Sequence, residues 1–326
     1  MTERPEPRDG VVPARPELGG GAATPSYALP DGAPTGLPGD PVPIPIGSGW
    51  FAWGARTYVM GILNVTADSF SGDGLLAETD DPVAAAGSIG AAMVAAGADI
   101  LDVGGESTRP GHAPVDEATE RDRVVPVVRA LRATHPGVPI SVDTTKASVA
   151  TAAIDAGADL VNDVAATTPA TDLLRVVAER GVPVVLMHDR PEARYRNVVA
   201  EVLADLQRAI DRALAAGVAW ERIIVDPGFG FGKTPAHNLV LLRELSTLRT
   251  LRRPILLGTS RKSTLGKLLD LPPEERLEAT LATTALAVAA GVDLVRVHDV
   301  GPNVRVARVA DAIVRGGHPL EIGGPG

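Results

Sequence analysis

Asp143, Asn162 and Asp226 each stand where a short apolar run meets polar sequence, and Lys262, Arg296 and His298 stand at two further such ends. A carboxylate at the base of a pocket accepts two parallel hydrogen bonds from an amino-pyrimidine edge, and an amide reads a neighbouring donor–acceptor pair. Asp143, Asn162 and Asp226, with Lys262 as counter-charge, therefore suit a flat heterocycle. A second set, Arg109, Arg261, Lys262, Arg296 and His298, gathers cations in a chain whose net charge is −9. Their natural ligand is an anion, most simply a phosphate or diphosphate. Asn64 ends the first apolar run and could hold a divalent ion beside that anion, because Mg²⁺ takes few protein ligands and keeps water and phosphate oxygens.

Such ends also have a plainer use. A polar residue after a strand is commonly the N-cap of the next helix, and Asp143 or Asp226 taken singly reads that way too. Eight polar ends in succession, five of them carrying charge or His directly, exceed what capping alone requires. Other motifs fail on spacing. Gly228-Phe-Gly-Phe-Gly-Lys-Thr234 looks like a phosphate-binding loop, but that motif places Pro227 where its first Gly belongs. Gly258-Thr-Ser-Arg-Lys262 lacks the second Gly of a nucleophile elbow. The His residues show no metalloprotease-type pairing, so a catalytic zinc is not expected, and no Ser/His/Asp set is legible. With no Cys in 326 residues, disulfides, thiolate zinc sites and Cys nucleophiles are excluded.

The elements that must position these residues follow from the pattern after Trp50. Runs rich in Val, Ile and Leu occupy 58–63, 100–103, 139–142, 160–161, 182–187, 223–225, 255–257 and 294–297. Between them lie stretches with helical apolar spacing, as in 84–96, 124–131, 173–178 and 198–214. Gly97, Gly157, Gly181, Gly217 and Gly291 stand where left-handed helix caps belong. Ala-Gly-Ala-Asp recurs at 96–99 and 156–159, with Ala-Gly-Val-Asp at 290–293, each just before a strand, as a repeated helix-to-strand corner would be. Strands alternating with helices mean parallel βαβ units. Eight units over residues 50–326 fit an α/β fold, a closed (β/α)8 TIM barrel of typical size ~250 residues. The alternative, an open doubly wound sheet, wants a Gly-rich nucleotide loop after its first strand, and Asn64-Val-Thr-Ala-Asp68 is not one. In a barrel the active site lies at the C-terminal strand ends, where both residue sets fall.

Residues 1–49 hold 11 of the 28 Pro and 9 of the 35 Gly and show no apolar period. Such a segment cannot offset its ordering entropy by burial, so we expect a disordered tail, with order only near 41–46. The hydrophobic fraction of 45% is that of a globular protein. The acidic balance argues against a nucleic-acid partner. No apolar run reaches the ~18–20 residues of a membrane span, and residues 1–10, charged and Pro-containing, do not read as a secretory signal. The expected compartment is the cytoplasm.

Residues 58–74, YVMGILNVTADSFSGDG, and 97–111, GADILDVGGESTRPG, resemble the two signature segments of the dihydropteroate synthase family. The resemblance continues through ISVDTTKASVATAAIDAGADLVNDV, DPGFGFGKT, TSRKS and RVHDV, spanning roughly residues 56–315. It implies a transferase that joins 6-hydroxymethyl-7,8-dihydropterin diphosphate to 4-aminobenzoate, releasing diphosphate and making 7,8-dihydropteroate for folate synthesis, and a sulfonamide target. By the family motif, Asp143, Asn162, Asp226 and Lys262 would hold the pterin, Asn64 would bind Mg²⁺ with the diphosphate, and Arg296 and His298 would grip the diphosphate. Thr108, Arg109, Phe231 and Ser263 would contact the aminobenzoate or the leaving group, under loops at about 66–81 and 104–117. Lys262, Arg296, His298 and Arg109 would then carry catalysis. The implied chemistry is displacement at the pterin methylene without an enzyme nucleophile, helped by electrostatic stabilisation and positioning. The resemblance also implies a homodimer formed through late barrel helices.

The sequence departs from the family's usual pattern in places. Ala67 stands for a commoner Pro, Gly72-Asp-Gly74 for Asp-Gly-Gly, and Met187-His-Asp-Arg190 for Met-His-Met or Met-His-Asn. Ala67 relaxes a loop that must close, which touches loop rates rather than chemistry. Two rival readings share the fold. Methyltetrahydrofolate:corrinoid methyltransferases also seat a pterin with Asp and Asn at strand ends but lack a diphosphate clamp, which Ser260-Arg-Lys262 and Arg296-Val-His298 supply here. A non-catalytic pterin binder would keep the same pocket, because fold and pocket alone do not establish activity.

Overall fold

The computed structural model describes residues 41–66, 81–107, 114–168 and 172–316. An antiparallel hairpin of β1 (Ile44–Ile46) and β2 (Gly49–Phe51) comes first. Strands and helices then alternate. They are β3 (Tyr58–Asn64), α1 (Pro82–Ala95), β4 (Ile100–Gly104), α2 (Glu117–Thr134), β5 (Ile140–Asp143), α3 (Ala147–Asp155), β6 (Leu160–Asp163) and α4 (Asp172–Arg180). There follow β7 (Val184–Met187), α5 (Val198–Ala215), β8 (Ile223–Asp226), α6 (Pro235–Arg243), β9 (Leu256–Leu257), α7 (Ser263–Leu269), α8 (Leu277–Ala289), β10 (Leu294–Val297) and α9 (Val300–Val314).

The long strands pair in parallel in the order β8-β7-β6-β5-β4-β3-β10-β9. A parallel bridge between Val225 and Ile255 joins the two outer strands, with Val225 N–H donating to Pro254 O at 2.9 Å. The sheet closes on itself, so the (β/α)8 barrel expected from the alternation is the observed fold and the open sheet is not. The five expected glycine caps all have φ between +62° and +116°. The repeated corner has a second purpose. Asp99, Asp159 and Asp293 turn their carboxylates to backbone amides at the entry of the preceding strands, at Val59 (2.8 Å), Ile140 (2.9 Å) and Ile255 (3.0 Å). Each satisfies a backbone donor that the parallel ladder leaves over at the strand's entry.

Side chains alternate across a strand, and this sorts the barrel into two cores. Val59, Leu101, Val103, Ile140, Val142, Val161, Val184, Leu186, Ile223 and Val225 face the helices. Tyr58, Met60, Ile100, Leu160, Val185, Ile224, Leu256 and Leu294 fill the barrel's lower interior, where Ile44, Ile46, Phe51 and Trp53 join them. The hairpin takes in the 41–46 stretch singled out within residues 1–49. Ile44 and Ile46 are as buried as any barrel residue, because apolar residues between prolines can be paid for by a hairpin that plugs the open bottom. Residues 1–40 lie outside the described residues. One step higher on the same inward faces the residues become polar: Asn64, Asp102, Asp143, Asn162, Asp226, Arg296 and His298. Among the described residues no helix is long and apolar enough to cross a membrane.

Candidate active site

These polar inward residues, Asp102 apart, line a cavity of about 310 Å³ at the C-terminal ends of the strands. Asn64, Asp143, Asn162, Asp226, Phe231, Lys262, Ser263, Arg296 and His298 all border it, so most of the residues singled out in the sequence come together. Thr108, Arg109, Ala67 and Gly72-Asp-Gly74 lie outside the described residues.

Arg296 is the centre of the floor. Its Nε donates to Asp102 Oδ2 at 2.6 Å and one Nη to Asp143 Oδ2 at 2.7 Å. Asp102 is fully buried, and the remaining oxygens, Asp102 Oδ1 and Asp143 Oδ1, meet no donor of the protein. Burial pushes the Asp143 carboxyl up to about 7, against the pull of Arg296 and with repulsion from Asp102 and Glu120 adding to it. Asp226 is raised to about 6 by burial, although its Oδ1 accepts the Gly228 amide at 2.7 Å and Lys262 opposes the rise. Asp102 escaped the sequence reading because it sits inside an apolar run. A lone charge at an inward position of a buried strand was the available signal.

His298 is set by Ser260. The serine hydroxyl accepts the His298 backbone N–H at 3.2 Å and lies 2.9 Å from Nδ1. A hydroxyl has one donor and two acceptor sites, so it serves Nδ1 in either ring tautomer. Lys262 Nζ lies 3.9 Å above the Phe231 ring, a cation–π contact. Arg261, grouped with the anion-binding cations in the sequence, borders the cavity and pairs with Asp299 through two contacts at 2.9 and 3.2 Å. Its positive φ of 56° and the Arg276 guanidinium on its carbonyl, at 2.8 Å, make it a turn-forming residue at the rim.

At the base of the loop after β4, Glu106 accepts from Val115 N–H at 3.1 Å and pairs with Lys146, which also pairs with the buried Glu120. This ties the two ends of that loop to the start of α3. Lys233 of the phosphate-loop look-alike points inward. Its Nζ donates to the carbonyls of Gly228 and Phe231, both at 2.9 Å, and reaches His188 Nδ1 at 2.8 Å. Burial pulls Lys233 down to about 7, with Asp226 and Asp189 opposing. Burial and then Lys233 pull His188 down to about 4. Among the described residues no group of three or more His, Cys, Asp or Glu is arranged to hold a metal. Asn64 offers one neutral amide oxygen to the cavity, a donor set that fits an ion taking most of its ligands from diphosphate and water.

Fold and site define an α/β barrel whose mouth sets buried carboxylates beside a cationic wall. A family model described as pterin binding enzyme matches residues 60–298. A dihydropteroate synthase of Clostridium beijerinckii is 48% identical over 271 residues, covering 83% of this chain and 99% of the relative. A dihydropteroate synthase of Clostridium difficile, solved in the presence of pteroic acid, superposes with a TM-score of 0.77 at 45% identity, covering 81% of this chain and 99% of that one. The Xanthomonas albilineans enzyme in complex with 7,8-dihydropteroate gives 0.72 at 43% identity, covering 79% and 94%. The chain belongs to the dihydropteroate synthase family of pterin-binding transferases. The corrinoid-methyltransferase reading is set aside by these relatives.

Proposed function

We propose that this pocket joins 6-hydroxymethyl-7,8-dihydropterin diphosphate to 4-aminobenzoate. The observation that carries the reading is a single cavity with ionisable carboxylates at its floor, Asp143 Oδ1 among them without a protein donor, and Arg296, His298 and Lys262 on its walls. Asp143 and Asp226 accept the N–H groups of the pterin's amino-pyrimidine edge, and Asn162 reads the neighbouring pair. The aminobenzoate nitrogen attacks the pterin methylene as the carbon–oxygen bond to diphosphate breaks. The bonding electrons leave with the diphosphate, and the nitrogen gives up a proton. Arg296 and His298 face the negative charge that develops on the leaving oxygens. Phe231 and Ser263, with Thr108 and Arg109, receive the aminobenzoate or the leaving group. Asn64 would hold Mg²⁺ together with diphosphate oxygens, and the ion would neutralise leaving-group charge.

Diphosphate release from the pterin diphosphate is expected to depend on 4-aminobenzoate. In calorimetry, aminobenzoate is expected to bind only once Mg²⁺ and diphosphate are present. Pterin binding with no product would leave a pterin-binding protein without synthase activity.

The proposal includes a cytoplasmic homodimer. Leu268 and Leu269 on α7, Leu286 on α8, and Val309 and Ile313 on α9 are exposed, Ile313 to 78%. Apolar side chains this exposed on neighbouring late helices support an interface there. Sedimentation equilibrium is expected to return two chains per particle, and Ile313→Glu to return one. A single chain for the parent protein would remove the dimer from the proposal.

A further inference from the structure

Lys233 belongs to a Gly-rich turn that lacks the first Gly of a phosphate-binding loop and that the pterin seat does not use. The protein sets four acceptors around its Nζ: Gly228 O, Phe231 O and His188 Nδ1 at 2.8–2.9 Å, and His188 O at 3.5 Å. The imidazole is held in turn. His188 is fully buried, and its Nε2 lies 3.0 Å from Asp205 Oδ2, which also takes Arg190 Nε at 2.7 Å. A carboxylate on Nε2 fixes the proton there and leaves the Nδ1 lone pair for Lys233.

The turn that Lys233 spans has little other freedom. Gly228 and Gly232 have φ of +66° and +54°, and a Cβ on them would stand 1.8 Å from His188 O and 2.1 Å from Arg190 O. The turn therefore lies flat on segment 188–190 and carries Phe231 at its tip, against Lys262 Nζ.

We propose that Lys233 is a positioning residue whose buried Nζ holds the 228–232 turn so that Phe231 builds the 4-aminobenzoate side of the pocket. This rests on the function proposed above. Pterin is seated chiefly by Asp143, Asn162 and Asp226 on strand ends, so the two substrates respond differently when the turn loosens.

Lys233→Met is expected to raise KM for 4-aminobenzoate about tenfold or more, the worth of one displaced aromatic contact. Pterin affinity by calorimetry is expected to stay within about threefold, because its seat on the strand ends is rigid. A protein that is only less stable loses active fraction, which lowers apparent kcat and leaves KM alone. His188→Leu removes one acceptor and is expected to reproduce the KM rise. His188→Asn keeps an oxygen near the Nδ1 position and is expected to restore most of it. An unchanged KM in Lys233→Met, or equal rises in the two His188 variants, overturns the proposal. Amide hydrogen exchange gives a readout that needs no turnover. The Gly230 and Phe231 amides, which donate to Asn238 Oδ1 and Gly228 O, are expected to exchange faster in Lys233→Met. If the parent protein makes no product, the proposed function fails. Unchanged exchange at these amides overturns the role of Lys233 independently.

Discussion

Arg296→Met is expected to lower stability by about 3–5 kcal/mol, the usual cost of breaking a buried ion pair by removing one partner. The guanidinium bridges Asp102, fully buried, and Asp143. Without it two neighbouring carboxylates remain inside the barrel with no cation between them. Methionine fills the space but supplies no donor. The denaturant midpoint is expected to fall while the slope of the transition stays constant, since the exposed area on unfolding is unchanged. The same substitution acts on chemistry. Asp143 already stands at about 7, raised by burial and restrained by Arg296. Removing the restraint raises it further, and the acid limb of kcat/KM moves to higher pH. An unchanged midpoint with loss of diphosphate affinity alone would return Arg296 to a simple anion-gripping role. The bridge to Asp102 and Asp143 argues that it is both a wall of the site and the support of its floor.

Asp226→Asn is expected to reduce kcat/KM about a hundredfold or more. Hydrogen bonds to a charged acceptor contribute about 1.5–3 kcal/mol each, and a carboxylate receiving two from one ring edge loses both their strength and half its acceptors on becoming an amide. The sign of the pH effect follows from the same geometry. A protonated carboxyl has one oxygen that donates, so it cannot accept both pterin N–H groups. Activity therefore falls as pH drops through the carboxyl's own value, about 6 for Asp226 and about 7 for Asp143. The parent profile of log kcat/KM is expected to approach a slope of two on its acid side, and Asp226→Asn a slope of one. A slope that remains two in the variant would mean that Asp226 does not titrate in the reaction. Thermal midpoints of the two proteins separate this from simple loss of fold.

Much of the architecture was legible because it is local. Eight apolar runs of strand length, glycines at five helix ends and a thrice-repeated corner are statements about nearest neighbours along the chain. Chirality and the parallel ladder turn such statements into a barrel with little choice left. The same period of two that makes a strand puts every second residue inside, so a polar residue at the end of each run had to meet its counterparts at one mouth. The local pattern alone sets Asp143, Asn162, Asp226, Lys262, Arg296 and His298 at that mouth. The family resemblance of the segments at 58–74 and 97–111 supplied the substrates, which no spacing rule could.

What the chain alone did not determine is who faces whom across the barrel. Arg296 is 194 and 153 positions from the aspartates it bridges, and no periodicity relates residues so distant; their contact exists only because the sheet closes. Contacts between neighbouring strand ends likewise pair Arg261 with Asp299 and Lys233 with His188. Closure also gives Ile44 and Ile46 a floor to cover, which a Pro- and Gly-rich stretch read in isolation lacks. The sequence by itself determined the elements, their order and the chemical inventory at the barrel's mouth, because these follow from local pattern. Tertiary structure decided which charges neutralise one another and which remain for a ligand, because electrostatic pairing depends on distance through space rather than along the chain.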